Sequence, residues 1–170
     1  MEELGRWLSY EAIRDWLPHR RDVIKTPLAS TEGTVIETAV PLLAAPIFPG
    51  GLQLWEGARQ VLPSAELCLG GLPEAIEAQA GVVLLLDQIR QGDELIELLQ
   101  RLEQLGVEAP RLRVITALTA SPGLKRIGET YPEITIHTAC IDADLDEQGR
   151  ILPGIGDPLQ RLGIRTAQPH

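Results

Sequence analysis

The segment DQIRQGDE, residues 87–94, holds the densest group of side chains able to do chemistry. Asp87 directly follows the apolar run Val82 to Leu86, so its carboxylate stands where a strand ends. A carboxylate there is suited to binding Mg²⁺, holding a ribose hydroxyl or capping a turn. A loop that cradles phosphate needs small residues, so that backbone N–H groups converge on the oxygens. This loop offers one glycine, Gly92, followed by Asp93 and Glu94. Those two carboxylates use the N–H groups and helix dipole that a phosphate would use, and the expected outcome is a self-capped helix.

A second candidate is RILPGIGDP, residues 150–158. Two glycines and two prolines make it a rigid, irregular loop that presents backbone N–H and C=O groups in fixed directions. Reading the edge of a flat heterocyclic base requires such a loop, and Asp157 is placed to orient one. Gly50-Gly51 permits close approach of a ligand to the backbone, or simply a tight strand-to-helix turn; Gly70-Gly71 reads as a turn. The run Asp142, Asp144, Asp146 and Glu147 alternates carboxylates but lacks the glycine of a calcium loop, and reads as a solvated turn. His19, His137 and His170 have no partners at metal or triad spacing, and His137 reads as a surface or satisfied core histidine. Ser64 and Ser121, each beside a proline, do not sit in a nucleophile elbow. Cys68 and Cys140 share no zinc-like spacing and read as buried, inert thiols.

The elements that must position these groups follow from periodicity. Leu4, Trp7, Leu8, Ile13 and Leu17 predict an amphipathic helix closed by Pro18, with Trp7 and Trp16 on roughly opposite sides. A hairpin is possible between Val23 and Val40. Strands are predicted at 42–48, 65–69, 82–86, 112–118 and 134–138, and helices at 52–62, 93–105 and 122–131, with a weak helical turn near 74–79. The helix from Asp93 is the clearest, with Leu95, Ile96, Leu99, Leu102 and Leu105 on one stripe and Gly106 as its stop. The alternation predicts an α/β fold, a mostly parallel sheet of about five strands with helices on both faces. Ligands in such folds sit at the carboxyl ends of the strands. The expected layout is a single domain over 1–170: an N-terminal helix (1–22), an α/β core (23–141) and an irregular C-terminal segment (142–170).

Composition narrows the function classes. The chain has 170 residues, 44% hydrophobic, which is enough to bury a real core. Net charge is −9, and residues 51–110 hold 3 basic against 10 acidic side chains. That balance argues against nucleic acid or an anionic membrane as the main partner. The N-terminus lacks a signal-peptide core and the apolar runs are too short to span a bilayer, so a cytoplasmic location is expected.

Several stretches together resemble the uracil phosphoribosyltransferases over nearly the whole length. They are LSYEAIRDWLP near the start, TPLA at 26–29, APIFPGGLQLWEG at 45–57, LPSAELCLGGL at 62–72 and, above all, YPEITIHTACIDADLDEQGRILPGIGD at 131–157. The resemblance implies a phosphoribosyltransferase-like fold and a homodimer. It also implies a reaction that joins uracil to phosphoribosyl pyrophosphate with Mg²⁺, releasing pyrophosphate and forming UMP, in pyrimidine salvage. The substrate-binding candidates it marks are Gly51, Asp87, Gly92, Ile151, Pro153, Gly154, Gly156 and Asp157.

This chain departs from the family's pattern at strand ends. Pro49-Gly50-Gly51 stands where the family has an Arg-Ala-Gly loop, and the family's β-arm after Leu72-Pro73-Glu74 is missing. Of the family's phosphate loop DPMLATGGS only Asp87 and Gly92 remain. Arg150 replaces a tyrosine, Pro158-Leu159-Gln160 replaces Ala-Gly-Asp, and the turn at Ser121-Pro122-Gly123 is shortened. With those donors gone the expectation is a non-catalytic relative, without cofactor or catalytic residue, that acts as a binding, regulatory or scaffolding subunit toward itself or another protein. The alternatives are an active transferase, in which case Mg²⁺ is expected, and a sensor that holds a uracil-like molecule.

Overall fold

The computed structural model describes residues 1–37 and 39–165; His170 and the rest of the last five positions lie outside it. In chain order the elements are α1 (Glu2–Arg14), β1 (His19–Lys25), β2 (Ser30–Ile36), β3 (Leu42–Pro46), α2 (Gly51–Ala58), β4 (Glu66–Leu67), β5 (Gly81–Ile89), α3 (Asp93–Gln104), β6 (Leu112–Ala120), α4 (Ser121–Thr130), β7 (Thr135–Asp142), β8 (Asp144–Leu145), β9 (Ile151–Leu152) and α5 (Pro158–Arg161).

The first six residues of β5 are all buried, and its side chains alternate between two cores. Val82, Leu84 and Leu86 pack with Leu95, Leu99, Leu102 and Ile127, whereas Val83 and Leu85 pack with Ala12, Ile13, Leu54 and Trp55. A strand that is apolar on both faces must be central and covered by helices on both sides. The sheet order is accordingly β4-β3-β5-β6-β7, with every neighbouring pair parallel. Helices α1 and α2 supply the cover on one face; α3 and α4 supply it on the other. The predicted α/β architecture and its five strands are present.

Four local expectations need correction. The helical turn near 74–79 does not form. Only Ile76 of that stretch packs on the core, and the carbonyls of Glu77 and Ala80 accept instead from the Arg111 guanidinium. The second correction concerns β7, which runs past residue 138 to Asp142 because β6 continues beside it to Ala120. The third is Cys140, which is exposed, since β7 is the outermost strand; Cys68 is half-buried. Finally, residues 142–165 are not irregular throughout: β8 and β9 pair as an antiparallel ribbon, and α5 follows. The hairpin near 23–40 is the antiparallel pair of β1 and β2.

His137 is half-buried on β7, and its Nε2 has no hydrogen-bond partner among the described residues. Burial, and then the nearby Arg113 guanidinium, push its pKa below 6.5, against a smaller opposing pull from Glu11. On the other flank, Trp16 closes α1 onto the sheet: its indole N–H donates to the Pro110 carbonyl at 2.7 Å, and Arg113 lies over its ring at 4.9 Å. Trp7, counted by the sequence pattern among the apolar residues of the helix, instead faces outward and is 59% exposed; the buried residues of α1 are Gly5, Ser9, Ala12 and Ile13.

Two predictions come from this packing. Helices α1 and α2 meet backbone to backbone: a Cβ on Gly57 would strike the Glu2 carbonyl oxygen, and one on Gly5 the Leu54 carbonyl oxygen. Gly57→Val is therefore expected to cost about 1–3 kcal/mol by overpacking, measured as a lower urea midpoint with unchanged slope. The second concerns acid. Between pH 6.5 and its lower folded pKa, His137 is protonated first in the unfolded chain, so stability falls as the pH drops through that window. His137→Gln should flatten the dependence of Tm on pH just below 6.5.

Candidate active site

The chain leaves β3 in one direction to form β4 and returns on the other side of β3 as β5, so the loops after β3 and β5 part from one another. A crevice outside the carboxyl ends of the strands forms at such a reversal. It is a cleft of about 710 Å³, walled by Ile47, Phe48 and Pro49 after β3, by Asp87 and Gln88 at the end of β5, by Arg90 just after it and Glu94 in α3, and by Ile151 and 156–160. That volume suits a small-molecule ligand.

Asp87 sits on the cleft wall at the point where β5 stops being fully buried. Its Oδ1 accepts from the Gln88 N–H at 2.8 Å. Burial pushes its pKa above 3.8, the Gln88 N–H and Arg90 oppose the shift, and Asp157 adds to it. Glu94 is likewise raised, first by burial and then by the Asp87 charge. Gly50 fits against this carboxylate so closely that an added Cβ would meet the Asp87 side chain. Gly51 does not line the cleft; it packs on the Leu85 carbonyl behind it.

The loop 151–157 is held from two sides. Asp142, at the end of β7, accepts from the Gly154 N–H through Oδ2 at 3.0 Å. Asp157 accepts from the N–H groups of Leu159 and Gln160 and caps α5. Gly154 has φ +61° and Gly156 φ +75°, conformations that favour glycine. Ile151, Gly156 and Asp157 face the cleft, whereas Pro153 and Gly154 support the loop from outside it. The acidic run is not a simple solvated turn. Besides Asp142, Asp146 accepts from the N–H groups of Gln148 and Arg150 and pairs with the Arg150 guanidinium at 2.6 Å.

The helix start at 92–94 differs from expectation. Gly92, at φ +87°, is the N-cap of α3, and among the described residues no side chain caps the helix. Asp93 turns aside to the Arg126 guanidinium of α4 at 2.5 Å, and Glu94 faces the cleft. The carboxylates expected to occupy the first-turn N–H groups leave them open. Beside that helix end lies a smaller cavity of about 260 Å³, lined by Leu86, residues 88–95, Gln148 and Gly149. Gly92 thus belongs to this second space, which Gln148 and Gly149 in the turn between β8 and β9 border. Sequence reasoning gave no site role to Arg90, Glu94 or Asp142. Only their positions at strand and loop ends hinted at one, and the pairings that decide it span distant segments.

Among the described residues no cluster of three His, Cys, Asp or Glu side chains is arranged to hold a metal alone. The carboxylates present fit Mg²⁺ in another way, because that ion is commonly bound by one or two carboxylates together with substrate phosphates. Asp87 is a half-buried hard oxygen ligand that a cation would relieve. No helix among the described residues is long and apolar enough to cross a membrane.

Comparison with known proteins places this geometry. The family model described as uracil phosphoribosyltransferase matches residues 1–162. A protein of Synechococcus elongatus named uracil phosphoribosyltransferase is 38% identical over 94% of this chain and 81% of its own length. One of that name from Nostoc is 35% identical over 94% of this chain and 82% of its own. A solved structure of a protein from Aquifex aeolicus superposes with a TM-score of 0.77 at 27% identity, covering 95% of this chain and 82% of the other. Relatives this similar, named for the enzyme, overturn the expectation of a non-catalytic subunit. The departures at strand ends are losses by sequence position alone; in space Asp93 pairs with Arg126 and does not block the start of α3. By the match of its fold, its length and its sequence, the chain belongs to the uracil phosphoribosyltransferase family.

Proposed function

We propose that the protein is an active uracil phosphoribosyltransferase, working in pyrimidine salvage in the cytoplasm. The observation that carries this reading is the pair of neighbouring cavities at the strand reversal, which share Leu86, Gln88, Arg90 and Glu94 in their walls, with Asp87 on the cleft wall near the 151–157 loop. In the reaction, N1 of uracil bonds to the anomeric carbon of phosphoribosyl pyrophosphate. The bond from that carbon to the pyrophosphate oxygen breaks, its electron pair leaves with pyrophosphate, and the N1 proton passes to solvent.

The residues divide this work. Ile47, Phe48, Pro49 and Ile151 form apolar wall that limits water at the reacting carbon. Backbone groups around Gly156, fixed by the Asp157 cap and by Asp142 on Gly154, face the base. Asp87 holds the ribose hydroxyls, and it is the residue that would bind Mg²⁺ arriving with the diphosphate. When bound, that ion neutralises charge on the departing pyrophosphate. The open N–H groups of α3 receive phosphate oxygens, with Gly92 giving the turn its room. Gly51 sets the wall behind the site, and Pro153 and Gly154 shape the base loop.

A homodimer is the proposed assembly, as the family resemblance implies. Leu28, at the tip between β1 and β2, is 97% exposed and offers apolar surface for it. Light scattering after size exclusion should give twice the chain mass of 18.6 kDa; a monomer at micromolar concentration would refute the dimer.

The direct test is to incubate the protein with uracil, phosphoribosyl pyrophosphate and Mg²⁺ and measure UMP. Turnover is expected, and its absence at high enzyme concentration rejects the proposal. Asp87→Asn is expected to lower kcat/KM by roughly 100-fold or more, comparable to losing a key electrostatic group. The same change should raise Tm by about 1–4 °C. The sign follows from Asp87's raised folded pKa: above that value its ionised form is less favoured in the fold than in the unfolded chain, and asparagine removes this penalty. An inactive variant with lowered Tm would show damage to the fold instead.

A further inference from the structure

The cleft and the smaller cavity share Leu86, Gln88, Arg90 and Glu94 in their walls, so a ligand long enough to use both must pass these side chains. Among the described residues Arg90 is the only cation lining the smaller cavity, and the cleft adds only Arg150. Arg150 is already engaged: its Nε pairs with Asp146 at 2.6 Å. Arg126 is engaged as well, on Asp93. Arg90 has no ion-pair partner within 4.0 Å among the described residues, although Asp87 and Glu94 both feel its charge. The loop that bears it has one glycine and neither serine nor threonine, so few small donors can gather around an anion. With Asp93 matched by Arg126, a phosphate entering between Asp87 and Glu94 meets two carboxylates, and Arg90 is the cation placed beside both to offset them.

We propose that Arg90 is the specificity-determining residue for phosphate. Its guanidinium, at the junction of the two cavities, engages the phosphate-bearing end of the sugar substrate, supplying by side chain what a small-residue loop would supply by backbone. A guanidinium fork matches phosphate oxygens in a bidentate way that a lysine ammonium cannot reproduce. The assignment rests on the transferase reading for the identity of its substrate, but its test does not need turnover.

The test compares wild type, Arg90→Gln and Arg90→Lys, with Arg59→Gln as a surface control, since Arg59 pairs with Glu56 at the far end of α2. Matching thermal melts establish that Arg90→Gln is folded. Binding of phosphoribosyl pyrophosphate, ribose 5-phosphate and ribose is measured by calorimetry with Mg²⁺, and steady-state kinetics are run alongside. Arg90→Gln is expected to weaken both phosphorylated ligands by about 10- to 100-fold, to leave ribose unchanged and to raise KM for phosphoribosyl pyrophosphate but not for uracil. Arg90→Lys should recover part of the loss, and Arg59→Gln should behave as wild type. Equal binding of phosphorylated ligands by wild type and Arg90→Gln overturns the inference while leaving the transferase reading intact. Arg90-dependent binding without any UMP formation sustains the inference and rejects that reading. Failure of wild type to bind any phosphorylated ligand overturns both.

Discussion

The reversal of strand order between β3 and β5 governs the rest of this molecule. A parallel strand buried on both faces satisfies its backbone only through its neighbours, and β5 therefore has β3 on one side and β6 on the other. Because β3 sends its connection outward to β4 while β5 sends its own toward β6, the two loops cannot cover each other. Polar side chains at those ends stay at a solvent-filled crevice instead of being sealed in the core. Asp87 marks the change: the six residues before it are buried, and it is the first charged group of the strand to reach the cleft.

Charge then organises the crevice. Asp87, Glu94 and Asp157 lie close enough that burial and mutual repulsion disfavour ionisation of the first two. Elsewhere at the site the carboxylates are matched. Asp93 is drawn to Arg126, Asp146 to Arg150, and Asp142 to the Gly154 N–H. These pairings keep the helix start open, fix the 151–157 loop, and leave negative charge where a cationic or metal-bearing ligand would compensate it. Such residual strain is typical of functional sites, where stability is given up for preorganised polar groups.

The relation to the enzyme family turns on the difference between residue identity and position. The stretch 131–157 was recognisable residue by residue, because a loop that must hold glycines at positive φ and carboxylates at fixed anchors tolerates little substitution. The stretch 87–94 departs from its local pattern for a related reason. Two carboxylates after a helix-starting glycine normally cap it, but that rule is local, and an arginine 33 residues from Asp93 overrides it. A charged pair of this kind between α3 and α4 exists only when both helices lie on the same face of the sheet.

The sequence by itself determined the alternation of strands and helices, the centrality of 82–86 and the apolar stripe of α3, because these depend on side-chain period and on burial of contiguous apolar surface. It also carried the strong likeness of 131–157 to one family. Other features were decided only by tertiary structure. The path of 74–79 depends on Arg111, the exposure of Cys140 on its strand being outermost, and the open first turn of α3 on Arg126. The place of Arg90 in the walls of both cavities belongs with them. Each of these rests on groups far apart in the chain, and no local pattern encodes which distant partner a charged or polar group will meet.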